Sequence, residues 1–563
     1  MKKITVFIII FLVAFVSACS TFPTTTSSTT QTTKTQTSTN STTEQDPSTA
    51  APTTTQSQTT TVEPTTTESP TTTTETPTTV TTVTYERYQD LYFYSVNDFH
   101  GGAYYSFESF SQIGAEIKYM KANYDNVFAL TNGDIFQGSA ISNYYYGRPL
   151  VEAMNLSGFD GFVIGNHEFD WGIDKIGEYK DGLAENGEAE FPILAANIYY
   201  EDTMTPLEFT VPYIIKETSG VKVGIIGVIG NLINSIAASR VENIIFADPV
   251  KTVSDYASYL RTEEAVDVIV VYIHGGSYDN YDFAQLSGLS RIDAIFNGHT
   301  HANESGSISR NGVGLFYAQA SSRDFSMLAR IKLTYDHDTK QVISGDARTY
   351  SVYQLTESDP EIDLLFDAYI NDPVYVEFVN QVLASAQYTF GSSDLAPWAA
   401  SVIRDYVQID IGAVNRGGFR VSMQQGTVTM GDLITIYPFD NVIKTSRMTG
   451  KQIYDFYTEL MYYGGDVVFD DGLSYSSGTL YINGQPIDFG KYYTVGAVDY
   501  IFDKNYYDFL EGEDITQTEY FMRDLLVIDL LNNTGIFNPY NGSSYSNNLE
   551  VNWFYEDVYQ AII

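Results

Sequence analysis

Five short polar motifs, each closely following an apolar run rich in β-branched or aromatic residues, limit this chain to one kind of fold. The runs are Leu91 to Val96, Val127 to Leu130, Phe162 to Ile164, Val268 to Ile273 and Ile292 to Phe296. The motifs are Asp98-Phe99-His100, Gly133-Asp134, Gly165-Asn166-His167-Glu168, His274-Gly275-Gly276 and Gly298-His299-Thr300-His301, and they hold five of the six histidines. Continuous apolar runs of this length read as buried strands. Polar residues leaving such strands at their C-terminal ends collect on one edge, where α/β sheets bind ligands. An α/β chain with one chemically dense rim is the expectation.

Aspartate, histidine and asparagine offer hard oxygen and imidazole donors suited to zinc, manganese or a similar divalent ion. Two ions about 3.5–4 Å apart need a bridging carboxylate, and Asp134 is the natural one. Asp98 and His100, two residues apart beyond a strand, can hold one ion with His301, while Asn166, His274 and His299 can hold the other. Two carboxylate charges against four cationic ones make such a site locally positive. That local sign matters, because 70 acidic against 30 basic residues leave a net charge of −40. The wider field repels small phosphate esters and disfavours nucleic-acid polymers. A water between two such ions, its pKa lowered toward about 7, can attack phosphorus in line.

His167 reads differently, because its neighbour Asn166 already serves as a ligand and adjacent residues rarely point the same way. Facing the substrate, it can stabilise transition-state charge or protonate a leaving oxygen. Asp170, three residues on, can fix its tautomer and favour its charged form. Any one of these histidines alone reads equally as a structural residue; five, each after a strand, read as a site.

A chain of 563 residues exceeds one hydrophobic core, so at least two domains are expected. Residues 1–19 look like a secretory signal, with Lys2 and Lys3 before an apolar stretch too short to span a membrane. The stretch ends Val16-Ser17-Ala18-Cys19, which resembles a bacterial lipobox, and Cys19 is the one cysteine in the chain. A lipid on Cys19 would tether the protein to the extracellular face of the cell membrane, and a lone cysteine allows no intrachain disulfide. Residues 20–84, almost wholly Thr, Ser, Pro and Gln, read as a disordered stalk reaching on the order of 45 Å. A first domain is expected over 85–357, a helical connector over 358–383 and a second domain over 384–563. Within the first, Leu315 to Gln319 and Met327 to Tyr335 read as a strand pair, and His337 as a solvated turn residue. In the second, Asn415-Arg416-Gly417-Gly418-Phe419-Arg420 and Tyr437-Pro438-Phe439-Asp440-Asn441 suit a ligand that the backbone approaches closely and an arginine grips. They read equally as a tight turn followed by a surface arginine.

In order and spacing the five motifs resemble those of the bacterial 5′-nucleotidase and UDP-sugar hydrolase family of calcineurin-like metallophosphoesterases, over nearly everything after the stalk. The resemblance implies a four-layer αββα metallophosphoesterase domain, a helical linker and a smaller α/β C-terminal substrate-binding domain. It implies two divalent metal ions on Asp98, His100, Asp134, Asn166, His274, His299 and His301, and a catalytic dyad of His167 and Asp170. It also implies substrate contacts from Arg420, Phe439, Asn441, Asn415 and Gly418. The family's Gly-Gly-Asp-Gly-Tyr stretch is replaced by the segment from Val498 to Asp508. Phe502, Tyr500 or Tyr506 could fill the position that stacks on a base there, with Phe502 counted among the candidate substrate contacts. Nucleoside 5′-monophosphates are the expected substrate class. Nucleotide sugars, 2′,3′-cyclic nucleotides and nucleoside polyphosphates are alternatives, and a non-catalytic adhesion protein on the same fold is the rival of another class. No oligomeric state follows from the residues.

Overall fold

The computed structural model describes residues 85–104, 106–183, 187–321, 326–355, 357–533 and 535–545. Cys19, the signal-like stretch and the proposed stalk lie outside the described residues. Among the described residues, no helix is long and apolar enough to cross a membrane.

Each of the five apolar runs forms a strand: Tyr88–Val96, Val127–Asn132, Gly161–Val163, Val268–His274 and Ala294–Phe296. The first three lie parallel in a seven-stranded sheet. The other two lie parallel in a six-stranded sheet, with Val221–Ile229 beside Val268–His274. The sheets meet face to face over Phe93, Phe128, Leu130, Val270, Tyr272 and Phe296, all buried. At roughly 1.5–3 kcal/mol for each large side chain buried, this inner layer holds the two groups of loops in fixed relation. Helices Ser109–Asn123 and Arg148–Ser157 cover the outside of the first sheet. Pro249–Thr262 and Asn280–Gln285 cover the second. The result is the expected αββα stack, in which each sheet is buried on both faces, by the other sheet on one side and by helices on the other.

Asp-Pro opens three helices. Asp248, Asp359 and Asp372 each accept backbone N–H groups of the first turn, and the following prolines occupy positions whose N–H has no helical partner. Two of these helices, Pro360–Ile370 and Pro373–Val379, form the segment between the domains. Ile362 and Phe366 of the first are buried against the outer helices of the metal-binding half, so it packs as part of that layer.

One expectation is corrected. Leu315–Gln319 and Ser326–Asp336 are both strands but do not pair with each other. The former joins Ala294–Phe296 in the six-stranded sheet, and the latter lies between Tyr88–Val96 and Gln341–Ser351 in the other. Two apolar segments close in sequence read as a hairpin, whereas here the chain crosses between sheets.

The C-terminal half is built on a five-stranded mixed sheet in the order Val467–Phe469, Ile411–Asn415, Tyr492–Val498, Val442–Thr449, Glu513–Phe521. Helices Ser392–Val407 and Met522–Asn532 pack around Trp398 in its core. It is joined to the first half by direct hydrogen bonds. Lys504 Nζ donates to the Ile236 carbonyl at 2.7 Å, and Asn143 Nδ2 to the Pro438 carbonyl at 2.9 Å.

Candidate metal centre and substrate cavity

The rim gathers all seven proposed ligands. Five of them, Asp98 (φ 51°), His100 (50°), Asp134 (55°), His299 (73°) and His301 (54°), sit in the left-handed region. Non-glycine residues there cost on the order of 1–3 kcal/mol each and persist only where their surroundings hold them. Here the loops hold one another. The His100 N–H donates to the Asp134 carbonyl at 3.0 Å, and the His299 N–H reaches both Asp98 oxygens at 3.0 Å. The His167 N–H donates to Asp134 Oδ1 at 2.8 Å.

Donor atoms of Asp98, His100 and His301 lie within 4.8 Å of one another, and so do those of Asp134, His274 and His299. Asn166 Oδ1 joins the second set, 3.2 Å from His274 Nε2 and 2.8 Å from His299 Nδ1. Asp134 stands between the sets, with Oδ2 3.1 Å from His274 Nε2 and 4.0 Å from His100 Nε2. His167 also comes within 4.8 Å of His100 and Asp134.

The donor chemistry fits cations. His100 Nδ1 donates to the Gln137 carbonyl at 3.0 Å, which leaves a lone pair on Nε2 only 3.3 Å from His301 Nε2. Likewise His274 Nδ1 donates to the Asn132 carbonyl at 2.8 Å, and its Nε2 faces two oxygens, from Asp134 and Asn166, so that a proton or a cation must lie between them. Acceptors converging on acceptors repel unless positive charge lies between them. The same pressure appears in the ionisation of the group. Burial alone would lower His274, but Asp134 and Asp98 push it up to about 10. Burial favours a neutral Asp134, yet His274 and His167 hold its carboxyl well below the usual range. His299 falls to about 4 through burial and the facing His274.

His167 Nδ1 lies 2.7 Å from Asp170 Oδ2. Burial disfavours its charged form, and Asp170 and Asp134 outweigh that and raise its pKa. The pair is thus close enough to fix the tautomer, and its charge environment favours a proton on the ring.

A cavity of about 240 Å³ opens on this cluster and is shared by both halves of the protein. Asp134, Asn166, His167 and His299 form its floor; Asn415, Arg420, Phe439 and Asn441 come from the second half. Arg420 Nη2 is 3.4 Å from His100 Nε2, and the Phe439 ring lies 5.7 Å from that of His167. Asn441 is committed structurally, donating to Asp499 Oδ1 at 2.8 Å and accepting from the Tyr437 hydroxyl at 3.1 Å.

Two substrate-contact assignments are corrected. Phe502 is fully buried and stacks on Phe509 in the core, 5.4 Å between rings. Tyr500 lines the cavity in its place. In helix Asp499–Phe502, residues two apart differ by roughly 200° in direction, so when one faces the cavity the other faces the core. Gly418 sits against the Tyr437 ring, where a Cβ would come within 2.8 Å of Cε2; Gly417 is the glycine on the cavity wall.

Three residues with no role assigned from sequence belong to the site. Asp466 lines the cavity and accepts from the Gly417 N–H at 3.1 Å. Ser235 lines it from the metal-binding half. Glu168 lies beneath the ligand loops, its carboxyl pushed up to about 7 by burial and by Asp134. Its place in a strand-following motif was the available signal, but nothing in the sequence says that an acidic side chain turns back under its own loop.

Residues 91–303 match the calcineurin-like phosphoesterase family, and residues 374–510 match the 5′-nucleotidase C-terminal domain. Endonuclease YhcR of Bacillus subtilis is 28% identical over 360 residues, 60% of this chain and 29% of that protein. An apyrase of Tabanus yao is 25% identical over 417 residues, 64% of this chain and 71% of the relative. The chain thus spans less than a third of YhcR's own length. Among solved structures, a 5′-nucleotidase precursor from Thermus thermophilus has a similar fold, with TM-score 0.63 and 19% identity over 79% of this chain and 96% of the other.

Proposed function

The chain belongs to the calcineurin-like phosphoesterases that carry a 5′-nucleotidase C-terminal domain, a family of metal-dependent phosphoester hydrolases, and on that premise we propose that it releases phosphate from nucleoside 5′-monophosphates outside the cell. One observation carries the reading: Arg420 and Phe439, from the second half, face the ligand cluster of the first across a single cavity. A guanidinium beside the ligands suits a phosphoryl group. An aromatic ring next to it suits a base.

Asp98, His100, Asp134, Asn166, His274, His299 and His301 would hold two divalent ions, zinc, manganese or similar, which supply Lewis acidity to the phosphoryl group and the attacking water. Arg420 binds the phosphoryl oxygens. Phe439 and Tyr500 hold the leaving nucleoside. As water adds to phosphorus and the ester P–O bond breaks, His167 gives its proton to the departing 5′ oxygen, with Asp170 holding the ring in place.

Phosphate release from mono-, di-, cyclic and sugar nucleotides and an alkyl phosphate, with manganese, zinc, cobalt and magnesium compared and a chelator as control, tests this. Full activity in the chelated, metal-free protein would overturn it. Phe439→Ala is expected to cost about 1–3 kcal/mol of nucleotide interaction, read as a raised KM, while the alkyl phosphate is unaffected. Arg420→Ala should weaken both. Equal losses on both substrates in the phenylalanine variant would mean that no base sits there. The names of the relatives favour one second reading, hydrolysis of nucleoside polyphosphates or phosphodiesters, and the same panel separates it from the first.

The lipobox-like Val16 to Cys19 supports attachment to the outer face of the membrane by a lipid. Cys19→Ala should then move the protein from the membrane fraction to the medium. A variant that stays membrane-bound and uncleaved would instead identify a signal anchor.

A further inference from the structure

Glu168 is 1% exposed, and its two oxygens accept three backbone N–H groups. Oε2 takes those of Asp134 at 2.8 Å and Gly165 at 2.7 Å; Oε1 takes that of Ile135 at 2.9 Å. These donors lie on two separate loops, which follow the adjacent parallel strands Val127–Asn132 and Gly161–Val163. Asp134 then uses its own carboxylate to accept from the His167 N–H. The contacts close a circuit: Glu168 holds the Asp134 backbone at φ 55°, and Asp134 holds the backbone of His167. The loops approach so closely that a Cβ on Gly165 would lie 2.4 Å from Asp134 Oδ1 and 2.9 Å from Glu168 Oε2.

We propose that Glu168 is the positioning residue of the metal centre, setting Asp134 between the two ion positions through backbone contacts alone. The inference rests on the reading of Asp134 as the bridging ligand. A strained, non-glycine conformation at that position needs outside support. A buried carboxyl that accepts three amide N–H groups provides it, since each of those backbone donors would otherwise be buried without a partner. Residues that orient metal ligands typically cost 10–100-fold in metal affinity or activity when removed.

The test uses the full chain and manganese as the probe, with binding followed by calorimetry, bound metal by elemental analysis and Tm alongside. Glu168→Ala should weaken manganese binding by about 10–100-fold and lower kcat while leaving KM for AMP nearly unchanged. Glu168→Gln should fall between, because its amide oxygen can keep the two donors at Oε2 while its NH2 turns toward the Ile135 N–H. Asp529→Asn is the control for stability alone. Asp529 is a fully buried carboxylate in the C-terminal half that accepts from Trp398 Nε1 at 2.8 Å, and its loss should lower Tm without touching manganese affinity. Wild-type affinity in both Glu168 variants overturns the proposal. If Glu168→Ala does not fold, less than a threefold loss in Glu168→Gln overturns it. A wild type that binds no divalent ion overturns the two-metal reading and the proposal with it.

Discussion

Asp134→Ala is expected to be the most damaging change in the protein, eliminating divalent-ion-dependent phosphate release. The carboxylate stands between both sets of ligands, 3.1 Å from His274 Nε2 and 4.0 Å from His100 Nε2, so its removal would take a ligand from each of the two proposed ion positions. It also removes the acceptor for the His167 N–H, which loosens the proposed acid together with the ions. On the proposed assignment, losing any other ligand would affect one position and leave the bridge. The measurement is metal content and kcat in parallel: both should collapse, and the loss of activity should exceed that of any single histidine variant. A variant that retains two ions and measurable turnover would show that Asp134 is not the bridge.

His167→Ala separates proton transfer from metal binding. Both ions should remain while kcat drops by about 10²–10⁴, the usual contribution of a positioned acid or base. His167 comes within 4.8 Å of His100 and Asp134, so the same variant also reports whether His167 is a ligand. Loss of an ion in the variant would make His167 a ligand. Asp170→Asn should be milder and should also move the pH profile. Asp170 raises the pKa of His167, so removing its charge lets the ring lose its proton at lower pH. A group needed in its protonated form contributes below its pKa and fails above it. The alkaline limb of kcat should therefore shift to lower pH in Asp170→Asn and be absent in His167→Ala. An unchanged alkaline limb in both would assign it to another group.

Much of the metal-binding half was legible in the residues. Runs such as Val268 to Ile273 are apolar throughout, which suits strands covered on both faces. Polar residues directly beyond such strands have one edge to occupy. The grouping of Asp98, His100 and His301 against Asn166, His274 and His299 followed from that edge and from donor type. The substrate wall was less legible, because an aromatic after a strand is suited equally to packing and to stacking. Phe502 and Tyr500 differ by two positions on a four-residue helix, and only the direction of that helix decides which one is core.

What the sequence determined by itself was therefore local chemistry in order: strand, ligand loop, strand, ligand loop, then a second domain carrying an arginine and an aromatic. Tertiary structure decided what depends on facing. It put Leu315–Gln319 and Ser326–Asp336 in different sheets, chose Tyr500 over Phe502 and Gly417 over Gly418 for the cavity, and turned Glu168 under the loops that carry Asp134 and Asn166. The physical reason is common to all of these. Periodicity and donor type are properties of a residue and its neighbours along the chain. The direction of a side chain, and the backbone groups left for it to satisfy, are set only when separate segments pack against one another.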